Sequence, residues 1–161
     1  MAIQLIIQGT VYNYPTSGED PNWGEEAADW AEAVTDVLNT FLGPGDILQS
    51  TATIANNQAV ASNVPGLIFD PAQVRASNVT YSIYRTSVSS PSGFAESGTL
   101  YLIYDNNASS GNKWLLSQKT VGNSGVIFTV TDLGQIQYQS SNLLGGSYTG
   151  TMKFSAKTLA V

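Results

Sequence analysis

Only one stretch of this chain, Asn22 to Leu42, spaces its apolar residues for a helix, and everything after Asp46 is patterned for short strands. Trp23, Ala27, Trp30, Ala31, Val34, Val37, Leu38, Phe41 and Leu42 recur at steps of three and four. Glu25, Glu26, Asp29, Glu32 and Asp36 take the remaining surface. Asp20-Pro-Asn supplies the cap and an early Pro, and Gly43-Pro-Gly ends the helix with residues that cannot continue it. A helix of this length spans about 30 Å. Ahead of it, Ile3 to Tyr14 is rich in Ile, Val and Tyr and reads as a strand.

Beyond Asp46 the period changes to two. Val79, Tyr81 and Ile83 oppose Thr80, Ser82 and Tyr84, and Leu100 and Leu102 oppose Tyr101 and Ile103. Strands are expected near Val79 to Thr86, Gly98 to Tyr104, Trp114 to Lys119, Val126 to Thr131, Gln135 to Ser140 and Tyr148 to Lys157. Turns are expected at Ser90 to Gly93, Asn106 to Asn112, Gly122 to Gly125, Asp132 to Gly134 and Asn142 to Gly146. The fold class is therefore mainly β: a jelly-roll-like antiparallel sandwich with an N-terminal strand and one amphipathic helix. The division expected is an arm and docking helix over residues 1–46 and a β-domain over 47–161.

Charge narrows the function. The first 74 residues hold nine acids and no Lys or Arg, while residues 75–161 hold three acids and six bases, so −9 and +3 give the net −6. An acidic front of this kind argues against binding nucleic acid through phosphates. It permits head-to-tail complementarity between copies. Charged residues are only 11% of the chain, against the roughly 25% usual for soluble domains, and such chains tend to cover their surface with partners. No apolar run is long enough to span a membrane, and Met1 to Ile7 lacks the basic start of a secretion signal. The expectation is a protein made in the cytoplasm of whatever cell expresses it, with no membrane partner.

Chemistry-bearing motifs are scarce. Cys and His are absent, which removes thiolate nucleophiles, the common zinc sites and the usual base near neutral pH. There is no phosphate loop, no GxSxG elbow and no HExxH. Asp105-Asn106-Asn107 could offer oxygen ligands to Ca²⁺, but a turn between strands accounts for the same residues. Glycoside hydrolysis needs two carboxylates, and the back half offers only Glu96, Asp105 and Asp132. No enzyme, cofactor or metal is expected. Trp23, Trp30, Val34, Val37 and Phe41 are the candidate interface residues, either as core anchors of the helix or as contacts to another subunit.

Taken together, Tyr14-Pro, Asp20-Pro-Asn-Trp-Gly-Glu-Glu, Trp30-Ala-Glu-Ala-Val-Thr and Gly43-Pro-Gly-Asp46 resemble a segment of small virion structural proteins of tailed bacteriophages. The strand series Val79 to Arg85, Glu96 to Leu100, Gly125 to Thr129, Gly134 to Ser140 and Tyr148 to Phe154 is similar to the β-domains of phage decoration and fibre proteins. The resemblance implies a capsid decoration or cement protein that stabilises the head as a homotrimer. Its partners would be copies of itself and the major capsid protein or other virion proteins, and its place the virion, most simply the capsid surface. A tail fibre, collar or neck component is the alternative within that class. A host-glycan-binding module using the strand aromatics is the alternative outside it.

Overall fold

The computed structural model describes residues 3–7, 10–14, 23–41 and 43–161. The chain forms two compact units, Met1–Gly43 and Pro44–Val161.

In the first unit, β1 (Ile3–Ile7) and β2 (Thr10–Tyr14) pair antiparallel, with Ile3 opposite Tyr14 and Ile7 opposite Thr10. The single strand read from Ile3 to Tyr14 is thus a hairpin. Only Gln8-Gly9 separates the two arms in sequence, a break short enough to be read as part of one strand. Helix α1 (Trp23–Phe41) lies against β2.

The second unit is a sandwich of eight strands: β3 (Ile47–Thr53), β4 (Ser62–Ile68), β5 (Val74–Ser87), β6 (Ser90–Tyr104), β7 (Trp114–Gly122), β8 (Val126–Val130), β9 (Gln135–Ser140) and β10 (Thr149–Ala160). They form a five-stranded sheet in the order β3-β10-β5-β6-β7 and a three-stranded sheet in the order β4-β9-β8, with antiparallel pairing throughout. β3 beside β10 in one sheet and β4 beside β9 in the other give the wrapped, jelly-roll-like arrangement of first and last strands. Between them, β5, β6 and β7 run as a meander.

Alternation decides which side chains meet between the sheets. Along β5, Val79, Tyr81, Ile83 and Arg85 are buried, while Asn78, Thr80, Ser82 and Tyr84 are exposed. Leu100 and Leu102 of β6 and Met152 and Phe154 of β10 join them against Val64, Leu67, Val126, Phe128, Ile136 and Tyr138 of the smaller sheet. The rings of Tyr81 and Phe128 meet edge to face with centroids 5.2 Å apart, directly bridging the two sheets.

Two local features depart from the sequence reading. β4 contains Pro65 and Gly66, and its pairing with β9 shifts between Asn63 and Ile68, which places the Pro at an irregularity on an edge strand. The turn after β5 is Val88-Ser89, with Ser87 opposite Ser90, so the segment Ser90 to Gly93 begins β6. Gly93 suits the backbone there: its φ of +73° is one that L side chains rarely adopt.

Candidate functional site

On α1, Ala27, Trp30, Ala33, Val34 and Val37 are half-buried, and Asp29, Glu32, Thr35 and Asp36 are exposed. The helix therefore presents one apolar stripe and one acidic face, as its spacing dictates. Of the five interface candidates, Trp30, Val34 and Val37 lie on the stripe. The side chains of Trp23 and Phe41 fall outside the described residues. Asp29, Glu32 and Asp36, at steps of three and four, border a single shallow hollow with Ala33.

The first residues of the second unit are tied firmly to its last strand. Gly45 takes a φ of +87° and brings Asp46 against β10. One Asp46 oxygen accepts from the Thr158 amide at 2.7 Å, and the other meets Lys157 Nζ at 2.6 Å. The Thr158 hydroxyl donates to the Pro44 carbonyl at 2.8 Å.

A polar network that sequence reading missed lies inside the sandwich. Arg85 is fully buried. Its Nε donates to the Tyr148 hydroxyl at 3.0 Å, one terminal nitrogen to the Ser124 carbonyl and Ser141 Oγ, and the other to the Ser141 carbonyl and Asn56 Oδ1. All of these acceptors are neutral. Ser124 also connects to Glu96: its amide and hydroxyl both donate to Glu96 Oε2 at 2.9 Å. Glu96 Oε1 accepts from the Tyr81 hydroxyl at 2.6 Å and from Gln118 at 3.1 Å. Arg85 and Glu96 thus meet at one residue, Ser124: the cation holds the carbonyl that follows its Cα, and the anion holds the amide that precedes it and the hydroxyl. The only sequence signal was Arg85 on the apolar side of the β5 alternation.

Burial first, and then the hydrogen bond to Glu96, raise the Tyr81 hydroxyl well above its ordinary pKa of 10.0. The folded chain holds that proton more tightly than the unfolded chain. The stabilisation is consequently intact below pH 10.0 and declines as the pH rises beyond it. Urea unfolding across a series of alkaline pH values is expected to show this decline. Tyr81→Phe should make it shallower, and an unchanged slope would remove Tyr81 as its source.

The remaining acids are engaged in loops. Asp105 Oδ1 accepts from the Asn107 amide at 2.9 Å, the local turn that its sequence context also suggested. Asp132 accepts from the amides of Gly111 at 2.6 Å and Lys113 at 3.2 Å and from the Ser110 hydroxyl. Those two amides, Gly111 first, hold its carboxyl below the usual carboxylate range. Among the described residues no group of three or more acids comes together as a metal cage would require. Glu96 and Asp132 engage both carboxylate oxygens with nearby donors, and Asp105 engages one.

The outward face of the five-stranded sheet is open. A trough there is bordered by Ser82, Tyr84, Ser97, Val121, Thr151 and Lys153. It continues into a second hollow beside Thr80 and Ser155. Tyr84 and Tyr101 stand about half-exposed on this face, 51% and 45%, but cross-strand pairing sets them on different strands and three rows apart. They do not form one continuous aromatic platform.

No protein-family model matches the chain, and no curated protein matches it. Among solved structures it is similar to the tailspike protein of Acinetobacter phage vB_ApiP_P1, with a TM-score of 0.43 and 10% identity over 71% of this chain. The chain spans 22% of the length of that tailspike.

Proposed function

We propose that this chain is a non-enzymatic structural protein of a bacteriophage virion, and specifically a decoration or cement protein that stabilises the head as a homotrimer. The observation that carries the reading is the division of labour along the chain. An acidic unit with an apolar helical stripe precedes a β-sandwich whose buried Arg85 and Glu96 are spent on internal partners. The first has the composition of an anchor, and the second that of a rigid body. The resemblance of both segments to small phage virion proteins supports the same reading.

In this proposal Trp30, Val34 and Val37 contact neighbouring copies or the major capsid protein. Burying a large apolar side chain contributes roughly 1.5 to 3 kcal/mol before ordering costs. Trp30→Ala is expected to reduce incorporation into particles severalfold while leaving the sandwich folded, measured by quantifying the protein in purified virions. Unchanged incorporation would remove the helix as the anchor. Gold-labelled antibody on intact particles tests the location: label over the head supports a decoration protein, and label confined to the tail or neck assigns it there instead.

A further inference from the structure

We infer that the trough on the outer face of the five-stranded sheet is the docking site for the acidic face of helix α1 from a second copy of this chain. The inference rests on the self-association proposed above and names the surfaces that would make it.

Lys153 borders the trough, and a second cation lies beyond its β7 rim. Lys153 on β10 pairs across to Ser82, which pairs to Ser97, which pairs to Val121 on β7, and Lys119 lies one outward position further along β7. Both lysines are exposed, and among the described residues neither makes an ion pair. Among the described residues that line the trough, no carboxylate turns its oxygens into it. Glu96 borders it, but its oxygens are turned inward to Ser124 and Tyr81. Asp46 is held by Lys157 and Thr158.

Size and charge point to the occupant. β10 and β7 are three strand spacings apart, about 14 Å. The floor between them carries the small side chains of Thr80, Ser82, Ser97 and Thr99. A helix about 10 to 12 Å across can lie on such a floor between the two lysines. α1 supplies the complementary charge: Asp29, Glu32 and Asp36 are exposed on one face, about 10 Å from first to last, and no base occurs anywhere in residues 1–74. With its apolar stripe turned away, the helix would present carboxylates to lysines and polar groups to hydroxyls. The contact is heterologous, the kind that closes a ring when the rotation between copies allows.

Light scattering of the full chain over a range of concentrations and salt tests this. Self-association is expected to weaken as ionic strength rises. Lys119→Glu with Lys153→Glu should weaken it at least tenfold, as should Asp29→Lys, Glu32→Lys and Asp36→Lys together. All five changes in one chain should restore it. Every position is exposed, and thermal melts of each variant report whether the fold is intact. A wild-type chain that stays monomeric, association unmoved by either charge set, or a fivefold variant no better than its parents would each overturn the inference. Loss of polygalacturonate binding in the lysine variant with association unchanged would assign the trough to an anionic polysaccharide and overturn it as well. None of these results bears on incorporation into virions, which tests the proposed function separately.

Discussion

Replacing Arg85 with Ala is expected to lower the stability of the β-sandwich by about 4 kcal/mol, the range seen when one partner of a buried charged network is removed. The loss has two parts. The Ser124 carbonyl, in a residue with no solvent exposure, loses its charged donor, and the space that the fully buried side chain occupied is left open. At about 4 °C per kcal/mol for a unit of this size, the melting temperature should drop by roughly 15 °C. Arg85→Lys should recover little, because an ammonium offers three donors from one point and cannot reach the carbonyls of Ser124 and Ser141 and the Tyr148 hydroxyl together. Urea unfolding checks both. A loss below about 1 kcal/mol for the Ala variant would mean that water takes the place of the guanidinium, and that the network does not hold the sheets in register.

The second large effect is expected at Gly134, between β8 and β9. Its φ is +78°, and a Cβ there would lie 2.0 Å from the Phe69 carbonyl oxygen. That oxygen belongs to main chain held in place by the bond from the Phe69 amide to the Gly134 carbonyl, 3.1 Å. No rotamer relieves the clash, so the turn or the end of β4 must move. Gly134→Ala should cost about 3 kcal/mol, combining left-handed strain with displaced backbone. Gly111 is the control. Its φ is +87°, yet nothing lies within 4 Å of a Cβ there, so Gly111→Ala should cost only about 1 kcal/mol. The difference between the two, measured by denaturant midpoints, isolates the backbone collision. Equal losses would show that φ alone accounts for both.

Much of the sandwich was legible because period-two alternation is a direct consequence of having one face on the core. The strands around Val79, Leu100, Trp114, Val126, Ile136 and Phe154 lie where their apolar residues indicate; β5, β6, β7 and β10 run longer than expected, β9 matches and β8 ends one residue earlier. β4 was not legible. Its burial rests on Val64 and Leu67, which flank a Pro-Gly pair, and only pairing with β9 makes a strand of it. The start of β6 was hidden in the same way, since Pro91 and Gly93 carry turn chemistry while Gly93 takes its positive φ within a strand. Among the candidate interface residues, helical spacing placed Trp30, Val34 and Val37 together, and the structure describes them on one half-buried stripe. The Arg85 network was invisible because its acceptors come from Asn56, Ser124, Ser141 and Tyr148, four separate loops and strand ends brought together only by the fold. The trough was hidden likewise, since its lysines sit on β7 and β10, which are distant in sequence.

Both ends of the sandwich unit leave from the same side. Ile47 pairs with Ala156 and that residue with Val79, while the Val88-Ser89 turn and the loop after β9 meet at the opposite side through the Val88 amide and Gly146 carbonyl. A pull applied at Pro44 against a load on that far tip is therefore directed along β3. The ladder joining β3 to β10 runs across the force, so its bonds share the tension together instead of opening one after another. Tension between Pro44 and Val161, by contrast, would peel β3 from the neighbouring end of β10. The same protein should thus withstand stretching from end to end far better than separation of its two termini.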